Sequence, residues 1–89
     1  MTSERGEREL LLYHTAGCHL CELAEAIALP LAAAAGVRLR LVDIAGSEAL
    51  MERYGTRIPV LRDPTALAAE IGWPFDEVAV RGLLAGLRA

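Results

Sequence analysis

The first regular pattern along the chain is an apolar block, Leu10-Leu11-Leu12-Tyr13, with charged residues before it and the loop His14-Thr15-Ala16-Gly17 behind it. Four consecutive apolar residues are too few for a helix. Their uniformity predicts a short strand buried on both faces of a sheet. The period then changes: Leu20, Leu23, Ala24, Ile27 and Leu31 fall at helical spacing, with Glu22 and Glu25 off the stripe, which predicts an amphipathic helix. Pro30 lies inside that pattern and is expected to kink it or end its regular part, because proline lacks an N–H and crowds the preceding turn. Ala32 to Ala35 favour continuation, and Gly36 suits the C-terminal stop.

From Val37 to Asp43 apolar and charged positions alternate, the mark of a half-exposed strand at a sheet edge. Ser47 can cap a short helix, Glu48 to Tyr54, closed by Gly55. Ile58 to Arg62 reads as the next strand with Pro59 near its start, and Asp63-Pro64-Thr65 signals a turn. Leu67 to Ile71 is expected to return as the other arm of a hairpin, although alanine and glutamate favour strands poorly. Asp76 can cap a last helix, Glu77 to Arg88, with Phe75 and Val80 as a hydrophobic staple. Its apolar face is Val80, Leu83, Leu84 and Leu87, while Gly82 and Gly86 weaken it locally or allow close packing. The order is β-α-β-α-β-β-α, an α/β arrangement in which the crossovers imply a parallel first pair and the hairpin adds antiparallel strands.

Composition narrows the picture. At 89 residues, 54% apolar and 24% charged, the chain is expected to form one ordinary soluble domain. Residues 1 to 8 are charged and lack the apolar segment of a signal peptide, so they are expected as a loose tail before a domain spanning 9–89. A net charge of −3 without a basic cluster argues against nucleic-acid binding. No apolar run approaches the roughly 18 residues needed to span a bilayer. A monomer in the reducing cytoplasm is expected, where a C-x-x-C pair is catalytic or metal-binding more often than a structural staple.

The two cysteines are the chemistry. Cys18-His19-Leu20-Cys21 opens the first helix immediately after the buried strand. The unpaired N–H groups and dipole at a helix start stabilise an anion, so Cys18 is expected to ionise more readily than a free thiol at about 8.5. The i, i+3 spacing brings Cys21 to about 5–6 Å between Cα atoms, which a disulfide can span. His19, if protonated, would stabilise the Cys18 thiolate; if neutral and outward, it is a bystander. His14 reads first as a loop or packing histidine.

The chain resembles the glutaredoxin-like branch of the thioredoxin superfamily over about residues 9 to 88. Four segments carry the resemblance in order: Leu12 to Glu22 around the C-x-x-C, Tyr54-Gly55, Arg57-Ile58-Pro59-Val60-Leu61, and Gly72-Trp73-Pro74-Phe75-Asp76. It implies the thioredoxin/glutaredoxin-like fold, a four-stranded mixed sheet with flanking helices. It also implies a thiol–disulfide oxidoreductase in which Cys18 attacks and Cys21 resolves. Pro59 is similar to the cis-proline that faces the active cysteine in this superfamily, and the Ile58 backbone would pair with an extended substrate.

The remaining groove positions implied by the resemblance are Thr15, Arg57, Gly72, Trp73 and Asp76. Thr15 stands near the place of a lysine, Arg57-Ile58-Pro59 replaces Thr-Val-Pro, and Trp73 replaces the second glycine of Gly-Gly-x-x-Asp. The bulky Trp73 crowds the approach of glutathione, whereas Arg57 offers a cation for a carboxylate. Plain packing is the simpler role for Trp73. No bound cofactor is implied. A disulfide-containing protein or small thiol is the expected substrate, and glutathione or a reductase the expected source of electrons. Two other readings remain open. One is a metal or iron–sulfur carrier using Cys18, Cys21, His14 and His19; the other is a redox-inert binding module.

Overall fold

The structure, a computed structural model, describes residues 8–66 and 69–88. The expected tail over residues 1–7 lies outside these, as do 67 and 68 of the expected hairpin arm; Arg8 already belongs to the first strand. The elements are β1 (Arg8–His14), α1 (His19–Ala34), β2 (Val37–Asp43), a 3-10 turn (Ile44–Gly46), α2 (Glu48–Tyr54), β3 (Val60–Arg62), β4 (Glu70–Gly72) and α3 (Glu77–Arg88). The sheet order is β2-β1-β3-β4. β1 runs parallel to β2 and antiparallel to β3, and β3 runs antiparallel to β4. This is the mixed four-stranded sheet with three helices that the element order implied.

β1 is interior to the sheet, which is why its apolar residues run without alternation. Leu10 and Leu12 face one side with α1 and α3, joined by Leu61, Ala28, Val80 and Leu84 in one apolar core. Tyr13 faces the other side with Val60, Ile44 and Tyr54 of α2. β2 is an edge strand, and its charged positions Arg38 and Arg40 are exposed.

Three local expectations change. The buried line of α1 is Cys21, Ala24, Ala28 and Ala32, not the leucine stripe; Leu20 and Leu23 are 45% and 42% exposed. A helix lying on a sheet comes nearest along its central line, where methyl groups fit, so the longer side chains flank the contact. The helix runs through Pro30 to Ala34, the continuation that the alanines favoured, and Gly36 takes a left-handed φ of 73° beyond the Ala35 cap, the stop expected of it. β3 begins at Val60, two residues later than expected, leaving Ile58 and Pro59 as its lead-in. β4 is Glu70–Gly72, displaced towards the C-terminus from the expected arm.

The helix caps follow the sequence. Ser47 Oγ accepts the Leu50 N–H at 3.2 Å, and Asp76 Oδ1 accepts the Ala79 N–H at 2.9 Å. Gly55 closes α2, its N–H bonded to the Met51 carbonyl at 2.8 Å. A Cβ at Gly55 would collide with that same carbonyl oxygen.

Candidate active site

β1 carries the chain to His14 at one end of the sheet. Gly17, at φ 76°, turns it back through the short loop into α1. Cys18 is the N-cap, in extended conformation at φ −93° and ψ 102°, and its Sγ accepts the Cys21 N–H at 3.1 Å. A cap must accept a bond from the first turn, and here a sulfur does so, which fixes Cys18 directly on the helix axis end. The same donors and dipole favour negative charge on that sulfur. Cys18 and Cys21 are joined as a disulfide with Cα atoms 5.2 Å apart. Cys21 is 4% exposed, whereas Cys18 is only half-buried, so one sulfur faces outward and the other lies beneath it.

Beside the disulfide runs a groove of about 170 Å³, lined by His14, Thr15, Cys18, Glu22, Glu25 and Leu41 among others. Thr15 and His14 therefore line the same groove as the cysteine pair. His19 does not join it: its side chain is 79% exposed, with Nδ1 3.9 Å from Glu22 Oε1, a long separation for two solvated groups.

The other predicted positions gather at the same end of the sheet. Tyr13 pairs with Val60, so the antiparallel register continued by one residue sets Pro59 across from His14. The Ile58-Pro59 bond is cis. Both the Arg57 and Ile58 N–H groups donate to the Tyr54 carbonyl, at 2.8 and 3.1 Å. The Ile58 N–H is therefore taken up inside the turn. Gly72 pairs with Val60, and the Trp73 N–H donates to the Pro59 carbonyl at 3.2 Å. The Trp73 ring is half-buried against the apolar core and meets Phe75 edge-on at 5.1 Å, the packing role. Asp76 is engaged as the α3 cap.

Arg57, the cation the sequence offered for a carboxylate, is engaged within the protein. Its guanidinium donates to Glu70 Oε2 at 2.9 Å and sits over the Tyr54 ring, 5.2 Å from its centroid. The Tyr54 hydroxyl donates to Glu70 Oε1 at 2.8 Å and accepts a long bond from Arg62 at 3.4 Å. Tyr54 also stacks on Tyr13 at 4.5 Å. Burial raises the Tyr54 hydroxyl pKa above its usual value, and the bond to Glu70 adds to this. Burial alone pushes Glu70 up, but the bonds from Tyr54 and Arg57 and the arginine charges reverse this and hold it below the ordinary 4.5. Sequence reasoning missed Tyr54 and Glu70. The available signal was a glutamate placed between Ala69 and Ile71 in a strand, where a charge needs a partner.

Among the described residues, no group of three His, Cys, Asp or Glu side chains is placed to hold a metal ion. No helix among them is long and apolar enough to cross a membrane.

Comparison with known proteins agrees with this geometry. Residues 9–85 match the family model described as Glutaredoxin-like domain (DUF836). No curated protein matches the chain. Among solved structures, the solution structure of protein XcR50 from X. campestris is 42% identical, with 86% of this chain and 92% of that one covered at a TM-score of 0.69. Protein Ne2328 from Nitrosomonas europaea is 27% identical over 84% of this chain and 88% of that one, at a TM-score of 0.65. A mutant thioredoxin from Halobacterium salinarum NRC-1 shares the fold, with a TM-score of 0.71 at 23% identity, over 91% of this chain and 74% of that one.

Proposed function

The chain belongs to the glutaredoxin-like domain family, and from that premise we propose that it is a dithiol–disulfide oxidoreductase. One observation carries the reading: a cysteine pair at the start of α1 with Cys18 outward and Cys21 beneath it. In the reduced protein, the Cys18 thiolate attacks one sulfur of a substrate disulfide. A Cys18–substrate bond forms, the substrate S–S bond breaks, and the first thiolate leaves and takes a proton from water. Cys21, having given up its proton to water, attacks Cys18 Sγ. The mixed disulfide breaks, the second substrate thiol leaves, and the internal disulfide forms. Two electrons pass from the protein to the substrate.

An external thiol, glutathione or the dithiol of a reductase, returns the two electrons and restores the pair. A reducing compartment such as the cytoplasm supplies that thiol. The protein acts as a monomer on a polypeptide or small-molecule disulfide. An extended substrate segment beside Pro59 pairs with the Ile58 carbonyl, since the Ile58 N–H is donated to Tyr54. His19 tunes the pair only through its charge when protonated, from an exposed position.

The test is single-turnover reduction of insulin or of a small disulfide by the pre-reduced protein. Cys18→Ser is expected to fall to the uncatalysed background. Cys21→Ser is expected to retain the attack and to accumulate as a mixed disulfide, detected as an intact-mass adduct. Wild-type activity in Cys18→Ser would sink the assignment.

A further inference from the structure

We propose that Glu70 determines substrate selectivity by withdrawing Arg57 from the groove, so that the site disfavours the anionic glutathionyl group and accepts neutral or cationic disulfides. The inference rests on the oxidoreductase reading and deepens it.

Arg57 directly precedes Ile58-Pro59, at the end of the sheet where β1 delivers the loop to Cys18. A guanidinium here, extended towards that end, would meet a substrate carboxylate. Its position is otherwise. Glu70 pairs with Arg62, two residues along β4 from Gly72, which pairs with Val60. At about 3.3 Å per residue, the Glu70 backbone lies roughly 6–7 Å along β4 from Gly72. Arg57 reaches to it across the Tyr54 ring.

The anchor is well held. Glu70 is only 15% exposed in its side chain, against 47% for Arg57. One of its oxygens takes the Tyr54 hydroxyl and lies 3.6 Å from the Arg62 guanidinium, and the other takes Arg57. A carboxylate with both oxygens engaged, flanked by a buried ring, keeps its geometry while the exposed arginine is the mobile partner.

The other side of the disulfide is acidic. The groove there is lined by Glu22 and Glu25, with no arginine among its lining residues. Glutathione has two carboxylates and one ammonium at neutral pH. It would meet two glutamates on one flank and, on the other, an arginine already held by Glu70. A disulfide in a neutral or basic peptide segment meets neither obstacle.

Single-turnover rates of the pre-reduced protein with two small disulfides test this. One is the mixed disulfide of glutathione and 2-mercaptoethanol, which is anionic. The other is bis(2-hydroxyethyl) disulfide, which is uncharged. The readout is the ratio of the first rate constant to the second. Glu70→Gln keeps the shape and a Tyr54 contact but releases Arg57, and is expected to raise the ratio about 3- to 5-fold at low salt, the scale of one exposed ion pair. The gain is expected to shrink at high salt. In Glu70→Gln/Arg57→Ala the ratio is expected to return to the wild-type value.

An unchanged ratio in folded Glu70→Gln overturns the proposal. So does a gain that persists without Arg57, since the lost glutamate charge alone would then explain it. Arg57→Ala in the wild-type background keeps the question open to refutation even if Glu70→Gln fails to fold. The ratio should fall by no more than about 2-fold, because only a distant, screened charge is lost when a side chain that does not reach the substrate is removed; a severalfold drop would mean that Arg57 already serves the anionic substrate. Wild-type protein that reduces neither disulfide would instead overturn the oxidoreductase reading itself.

Discussion

The two faces of the sheet are built from different materials. Towards α1 and α3, eleven buried apolar residues form one continuous core in which the α1 contribution is all alanine. Towards α2, the buried cluster among the described residues is Tyr13, Ile44, Tyr54 and Val60, and a ring of Tyr54, Glu70, Arg57 and Arg62 closes over it. The first face holds the fold by area removed from water. The second contributes less area, but its Tyr54, Glu70 and Arg57 network ties α2 and β4 to the segment leading into β3. Stability and groove geometry are thus assigned to opposite sides of a single sheet, and the disulfide sits at the end where both meet.

The division can be broken by measurement. The largest effect is expected from Leu12→Ala, at the centre of the α1/α3 face and 1% exposed. It should cost about 2–5 kcal/mol, with Tm falling by about 4–8 °C per kcal/mol. A loss in chemical denaturation smaller than that of Tyr54→Phe would reverse the assignment of the two faces. Next comes Ala28→Leu, which forces a larger side chain between α1 and the sheet. About 1–3 kcal/mol of destabilisation is expected, and a neutral result would show that the alanine line is not the point of nearest approach.

The smallest effect concerns the polar face. Glu70 is held below 4.5 in the folded protein, so the unfolded chain binds the proton more readily. Its stabilising contribution is fully present above about pH 4.5 and is lost as pH falls through the lower folded value. Wild type should exceed Glu70→Gln by about 1 kcal/mol at pH 7. Urea midpoints for the two proteins should converge below pH 4.5. A gap that is constant from pH 7 to pH 3.5 would detach the network from the carboxylate charge.

Wherever a single local rule decides, the sequence and the structure agree. Uniform apolarity at Leu10 to Tyr13 signalled an interior strand, alternation at Val37 to Asp43 signalled an edge, and Ser47, Asp76 and Gly36 marked helix ends that lie where they were read. The cysteine pair was legible because its spacing and its place at a strand–helix junction both follow from residue order. Hidden features depend on distance through space. The stripe of α1 was misread because hydropathy favours leucine, whereas the approach of helix to sheet favours alanine. Arg57 was read as a cation on offer because the glutamate that binds it is thirteen residues away, and only the pairing of β3 with β4 brings the two together. The short β3 was read too long because Ile58 has strand character in isolation, and only the turn from α2 takes up its N–H.

Gly55 gives the groove a constraint of another kind. It touches no substrate, holds no charge and supplies no side chain, yet it is the joint between α2 and the stretch carrying Arg57, Ile58 and Pro59. Any side chain there would drive against the Met51 carbonyl, and the backbone would have to shift where the helix meets the segment that follows. A map of functional groups would leave this position blank. For an engineer reshaping the selectivity of the groove, it is the fixed pivot: residues beyond it can be exchanged for others with different contacts, while Gly55 sets where all of them begin.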